Sequence, residues 1–142
     1  MLSLLALVVV LGAAWFVHSL SAERNAAQAR WERQEPSAYS FVYGHCSGMC
    51  ASCPVHVTVR GGTVTEATVR EPGCGTPALE FVPTIEDVFT VAEDHQPWPF
   101  SDSTTIDYDP VWGFPRSITH TCGEDTADCG SGWSVRDFEV IG

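Results

Sequence analysis

The sequence predicts an α+β fold, in which an antiparallel sheet of five or six strands packs on one helix and follows an N-terminal membrane helix. Three features predict it: strands of period two joined by short turns, one amphipathic helix between them, and an apolar N-terminal run. We therefore divide the chain into a membrane anchor or signal peptide at 1–21, a helical stalk at 22–36, and a small disulfide-stabilised α+β domain at 37–142.

The N-terminal segment has the length and composition of a membrane-spanning helix. Residues 2–20 are almost wholly apolar, and about 20 residues with a rise of about 1.5 Å each cross a hydrocarbon core of about 30 Å. Ser19-Leu20-Ser21 is a weak cleavage signal. Because helix-forming sequence continues past it as far as Pro36, we favour an uncut anchor over a cleaved leader. Trp31, in the stalk, is expected to dock against the domain.

Alternation of apolar and polar residues marks the strands. Gly61-Gly62 is a two-residue hairpin signal. A regular hairpin there would place Val57 opposite Glu66, so we expect a bulge in that pair. The sequence does not decide which face of the last strand points inward, because Val135 and Phe138 have opposite parity. Strands are expected at 39–43, 55–60 and 63–70, on both sides of the turn 108–115 within 104–121, and at 134–140.

One amphipathic helix is expected in the middle of the chain. Thr84 has the place and chemistry of an N-cap, with Asp87 three residues later. The helix should end near His95, before two prolines. Its apolar stripe consists of Ile85, Val88, Phe89 and Ala92.

The charge of the chain excludes some functions. There is no lysine, and residues 71–142 carry two Arg against fourteen carboxylates, whereas residues 1–70 carry five Arg against four. A basic footprint for nucleic acid is therefore absent, and no amine is available for Schiff-base chemistry. We interpret the acidity as a solvated surface that resists aggregation.

Six cysteines behind an apolar leader indicate three disulfides formed in an oxidising compartment. Each would contribute about 2–4 kcal/mol by restricting the unfolded chain. We expect Cys122 to pair with Cys129 across one loop. Three pairings are then open to the other four, and the first choice is Cys46–Cys53 with Cys50–Cys74.

The location of the domain follows from two opposed signals. Arg24, Arg30 and Arg33 follow the apolar run, which by the positive-inside rule would keep the domain in the cytoplasm. We give the cysteines and the leader more weight than these arginines. The expected location is therefore the cell membrane, crossed once by residues 2–20 with the domain outside the cytoplasm, or secretion after leader cleavage.

Two alternative hypotheses for the cysteines are a redox site and a zinc site. Cys50-Ala51-Ser52-Cys53 has the spacing of a thiol-disulfide oxidoreductase, but Pro54 and a strand follow where such a motif needs a helix N-terminus. The zinc hypothesis would be preferred over disulfides only if the domain were cytoplasmic. The ligands would then be Cys46, Cys50, Cys53 and either His45 or His56.

No residue is assigned a catalytic role, and no cofactor or metal is expected. Glu124, Asp125 and Asp128 would hold calcium weakly, since they match no EF-hand spacing. His120 is expected to face inward as a satisfied core imidazole.

The expected function is a non-enzymatic binding or interaction module, whose partner the sequence does not name. Exposed aromatic side chains anchor interfaces, so the candidate contact residues are Trp98, Phe100, Trp112 and Phe114. The alternative is that these rings fill the core.

The chain also resembles a known family. The segments that carry the resemblance occur in a familiar order: Trp31, Tyr39-Ser40-Phe41, the cysteines after that strand, Val57-Thr58-Val59 with Gly62, Pro83-Thr84-Ile85 with Val88-Phe89, Tyr108-Asp109, Gly113-Phe114-Pro115, Ile118, and Val135 with Phe138. Together, over about residues 30–140, they resemble a bacterial domain of unknown function, number 6174. The resemblance implies an exported or lipid-anchored α+β domain without a known activity. Cys74, Cys122 and Cys129 depart from the family pattern, as does the missing lipidation cysteine.

Overall fold

The computed structural model of the protein describes residues 2–47, 53–95, 103–121 and 130–142. It confirms the α+β prediction: a long apolar N-terminal helix, a six-stranded antiparallel sheet and a second helix. The elements are α1 (Leu2–Gln34), β1 (Ala38–Ser47), β2 (Val55–Arg60), β3 (Thr63–Val69), a short 3₁₀ turn (Leu79–Phe81), α2 (Ile85–Asp94), β4 (Ser103–Tyr108), β5 (Pro115–Thr121) and β6 (Gly130–Val140).

The sheet has the strand order β3-β2-β1-β6-β5-β4, so the first and last strands pair at its centre. One face of the sheet packs on α2 and on the second half of α1, and among the described residues these elements enclose one hydrophobic core. The largest fully buried side chains of that core are Trp31, Tyr39, Phe41, Ile85, Ile118, Val57, Val59 and Val88.

Trp31 docks into the domain, as the sequence predicted. Its side chain is 2% exposed, and its ring meets those of Tyr39 and Phe138 edge-on, with centroids 5.4 and 5.8 Å away. Ala27, one helical turn earlier, is fully buried. The stalk segment is thus packed against the sheet and contributes to the core.

The turn between β4 and β5 lies directly against α1. Gly113 has φ 90°, and a Cβ built on it would lie 2.1 Å from the carbonyl oxygen of Ala27. Asp109 shapes the turn, because its Oδ1 accepts hydrogen bonds from the backbone N–H groups of Val111 and Trp112 at 2.9 and 2.7 Å. Glycine is required here both for the backbone conformation and for the close approach.

A bulge in β6 explains why Val135 and Phe138 both face the core. Ser40 of β1 pairs with Glu139 and Val42 pairs with Arg136, so one residue of β1 lies opposite two of β6. The extra residue, Asp137, has φ 51°. In a regular strand Val135 and Phe138 would face opposite sides of the sheet, and the one extra residue of the bulge places both on the core side.

The expected bulge between β2 and β3 is confirmed. Val59 pairs with Val64, and the register then shifts so that Val57 pairs with Ala67 instead of Glu66. Gly61 and Gly62 have φ values of 56° and 73°, the positive angles that a tight hairpin turn requires.

The second helix begins and ends as predicted. Thr84 and Asp87 form a capping box, in which each side chain accepts from the backbone N–H of the other. His95 is the C-cap. Ile85, Val88 and Ala92 are buried in the core.

The central strands are longer than the sequence predicted. His45 and Cys46, expected in the cysteine loop, belong to β1 and pair with Trp133 and Gly132 of β6. β6 accordingly begins at Gly130, four residues before the expected start. Each strand extends because the other supplies backbone hydrogen bonds, a gain that local periodicity does not show.

Candidate functional site

The described disulfide joins Cys53 and Cys74, with Cα atoms 5.9 Å apart. The expected Cys50–Cys74 and Cys46–Cys53 pairs are therefore wrong. The expectation extended β3 straight on towards Cys74. Instead the chain turns after β3, where Gly73 has φ 84° and the N–H of Cys74 donates to the carbonyl oxygen of Glu71.

The disulfide argues against both the redox and the zinc hypotheses. Cys53 is bonded to Cys74 and not to Cys50, and Cys46 is also disulfide-bonded, so neither sulfur is a thiolate that could bind zinc. Within the described ranges, no group of three or more His, Cys, Asp or Glu side chains is placed to hold a metal ion. The remaining candidates lie outside the described residues: Cys50, Cys122, Cys129, Glu124, Asp125 and Asp128.

The candidate aromatic surface is only partly described. Trp98 and Phe100 lie outside the described residues. Phe114 is 3% exposed and belongs to the core. Trp112 is half-buried, with its ring 5.2 Å from that of Phe138. The structure therefore places the two described rings with the core, which leaves little of Phe114 for a partner to contact.

At one end of the sheet, two imidazoles contact one indole and a third imidazole lies near one of the two. We call this the His/Trp end, consisting of His45, His95, His120 and Trp133. The His45 ring stacks on Trp133 at 4.9 Å with an interplanar angle of 12°. The His95 ring, from the end of α2, lies 4.5 Å from the same indole and 6.4 Å from the His120 ring. A helix end and three neighbouring strands meet here.

Hydrogen bonds hold two of these imidazoles in place. His95 Nδ1 is 2.8 Å from the carbonyl oxygen of Val91, and since a carbonyl only accepts, this nitrogen carries the proton. His120 Nδ1 is 2.9 Å from the hydroxyl of Thr104. In neutral His95, the lone pair is therefore on Nε2. The inward position of His120 was predicted, whereas the cluster was not. The one signal for His45 was its shared parity with the core residues Tyr39 and Phe41.

Glu86 joins the two helices to the sheet. Its Oε1 accepts from the indole N–H of Trp31 at 2.9 Å, and its Oε2 accepts from the hydroxyl of Tyr39 at 3.2 Å. The same hydroxyl accepts from the backbone N–H of Ile85 at 3.3 Å. Burial, with a smaller contribution from the Glu86 carboxylate, raises the pKa of Tyr39 far above its usual range. The phenol therefore stays a donor at all physiological pH values.

A cleft of about 300 Å³ lies between α1 and α2. The edge of Trp31 and the ring of Phe89 form its apolar part. Arg24 and Glu93 close one end with an ion pair of 3.7 Å. The lining carries four carboxylates against one arginine, and its remaining residues are Gln28, Glu32, Glu35, Glu86 and Thr90. The cleft therefore favours cationic over anionic groups.

The first part of α1 is apolar and exposed. By length and composition the helix could cross a membrane within Ala6–Gln34. Leu7 and Val10 are more than half exposed, as is Trp15 at 73%. These side chains cover no part of the domain, which fits a signal peptide or a membrane anchor.

Comparison with known proteins gives one match. No curated protein and no solved structure matches the chain. A family model described as "Family of unknown function (DUF6174)" matches residues 23–140. The matched segment begins in the docked part of α1 and includes all six strands, so the chain belongs to the DUF6174 family.

Proposed function

We propose that this protein is a membrane-anchored extracytoplasmic domain that acts as a non-enzymatic binding or interaction module. The observation that carries the proposal is the continuity of α1. One uninterrupted helix begins in the exposed apolar segment and ends beside Trp31, which is buried in the domain. An anchor built in this way holds the domain in a fixed position at the membrane surface.

The disulfide supports a position outside the cytoplasm. Cysteines that pair stably are typical of exported domains, because the cytoplasm keeps thiols reduced. Cys53 and Cys74 are separated by 21 residues, and closing a loop of that length stabilises the folded state by about 3 kcal/mol in the chain-entropy treatment. A domain of this size has only about 5–15 kcal/mol in total, so exposure to a reducing compartment would remove a large part of its stability.

The α1–α2 cleft is the surface that we assign to the interaction. Phe89 offers an apolar wall, and Glu32 and Glu35 are exposed carboxylates at its rim. A basic, partly apolar segment of another protein has the chemistry that complements this surface. Phe114 does not serve this purpose, because it is buried.

The location is tested with a reporter enzyme that is active only outside the cytoplasm, fused after Gly142. High reporter activity, membrane retention after carbonate washing and an intact N-terminus are expected. Activity only from a reporter that works inside the cytoplasm would refute the proposed location. A cytoplasmic fusion of residues 22–142 without the apolar segment is the matched control.

The interaction is tested by a photo-reactive residue at Thr90, on the cleft, and for comparison at Thr65, on the exposed strand β3. We expect a discrete protein adduct from position 90 alone, reduced when Glu32 and Glu35 are changed to Gln. Equal adducts at both positions, or adducts that do not depend on the carboxylates, would contradict the assignment of the cleft.

A further inference from the structure

We infer that the His/Trp end of the domain rests in the lipid headgroup layer of the membrane that holds α1. This inference rests on the proposed membrane anchor and adds to it a second contact with the bilayer. The domain would then lie directly on the membrane surface, with lipid headgroups as the partner of His45, His95, His120 and Trp133.

The direction of α2 supports this arrangement. Trp31 of α1 contacts Glu86 near the start of α2, whereas Arg24 of α1 contacts Glu93 near the end of α2. The two contacts are seven residues, or about 10 Å, apart along each helix. The helices are therefore antiparallel, and the end of α2 at His95 points back towards the apolar segment.

The height of His95 follows from the helical rise. Arg24 lies four residues past Leu20, which ends the apolar run, so it is about 6 Å beyond the hydrocarbon core. His95 follows Glu93 by two residues and is thus about 3 Å nearer the core. The headgroup layer is about 5–7 Å deep on each side of the bilayer, and a tilt of about 20° changes these heights by only a few ångströms.

Ring contacts place His45 beside His95. The indole of Trp133 lies 4.5 Å from the His95 ring and 4.9 Å from the His45 ring. The end of β1 therefore lies next to the end of α2, on the side of the domain that points towards the apolar segment.

The side chains at this end suit a headgroup environment. Indole rings are enriched at the membrane–water interface, where one side of the ring is apolar and the N–H is polar. His45 is exposed, and its imidazole can donate a hydrogen bond to a lipid phosphate. The nearest carboxylates on α2 are Glu93, which is paired with Arg24, and Asp94, which is exposed. Neutral and zwitterionic headgroups are thus favoured over densely anionic ones.

Lipid photo-crosslinking of the full chain tests the inference. A photo-reactive residue replaces Ser47, the exposed last residue of β1, or Thr63, an exposed strand residue at the opposite end of the sheet. The protein is placed in bilayers of phosphatidylcholine and phosphatidylglycerol. We expect about tenfold more lipid adduct at position 47, because the headgroup layer reaches only about 5–7 Å from the core. Equal adducts at the two positions would overturn the inference.

An insertion in α1 provides the second measurement. Seven polar helix-forming residues between Ser21 and Ala22 raise the domain by about 10 Å while nearly keeping its rotation about the helix. The lipid adduct at Ser47 should then be lost, while the same insertion after Gly142 leaves it unchanged. An adduct that survives the α1 insertion refutes the inference. Protein that carbonate extracts from the membrane refutes the proposed anchor itself, so the two failures are distinguishable.

Discussion

Replacing Gly113 by alanine should detach α1 from the domain. A Cβ at this position would lie 2.1 Å from the carbonyl oxygen of Ala27, and the residue has φ 90°. The positive φ alone costs about 1–2 kcal/mol for a residue with a side chain. The clash adds to this cost because its partner is backbone of a hydrogen-bonded helix, which cannot rotate away. Together we expect a loss of about 3 kcal/mol or more, within the range of strongly destabilising substitutions.

Gly62 provides the matched control for this prediction. It also has a positive φ, 73°, but nothing lies within 4 Å of a Cβ built there. Gly62→Ala should therefore cost only the conformational part, about 1–2 kcal/mol. The difference between the two variants isolates the contact between the β4–β5 turn and α1.

Thermal unfolding of the full chain in detergent micelles measures both losses. Hydrogen exchange then locates the effect: Gly113→Ala should increase amide exchange in residues 27–34, and Gly62→Ala should not. Equal losses of stability in the two variants, or unchanged exchange in α1, would refute the reasoning that the turn holds the helix in place.

Three further predictions concern single side chains. Cys74→Ser should lower the free energy of unfolding by about 3 kcal/mol, measured without reductant. The wild-type protein in strong reductant should lose more than this, because Cys46 is also disulfide-bonded, and a smaller loss in reductant would contradict the prediction. Glu86→Gln should lower the free energy of unfolding by about 1–3 kcal/mol, because two hydrogen bonds end on its carboxylate. Glu93→Gln, at an exposed ion pair, is the control and should lower it by under about 1 kcal/mol. Similar losses in the two variants would contradict the anchoring role of Glu86. Burial raises the pKa of Tyr43 to about 12, so its contribution to stability is complete below pH about 10 and is lost as the pH rises towards about 12. Alkaline unfolding of Tyr43→Phe should therefore begin at higher pH than that of the wild-type protein, and an unchanged midpoint would contradict the burial of this phenol.

Local chemistry made much of the fold predictable. Thr84 and Asp87 define the start of α2 through contacts within one turn, so the sequence alone located it. The mismatch between Val57 and Glu66 likewise revealed the β2–β3 bulge, because hairpin partners are close in sequence. Both features depend on residues close in sequence, which is why the sequence alone predicted them.

Features that depend on distant pairing were not predictable in the same way. β1 and β6 extend each other at the centre of the sheet, although about ninety residues separate His45 from its partner Trp133. The Cys53–Cys74 bond depends on a turn after β3, which the parity of the strand does not reveal. The candidate site combines both situations: the inward side of His120 was predictable, and its meeting with His95 was not.

Because the second half of α1 packs against the sheet, the fold of the domain should not depend on whether the leader is cleaved. Cleavage after Ser21 would leave Ala27 and Trp31 in place, since both follow the cleavage signal and both are buried. The helix from residue 22 to residue 34 is too short to be stable alone in water, so its packing against the sheet must hold it. The anchored and the cleaved protein should therefore share one fold and one α1–α2 cleft. If the His/Trp end contacts lipid as proposed, the two forms differ in this contact, which should then be found for the uncut chain and be lost from the cleaved one.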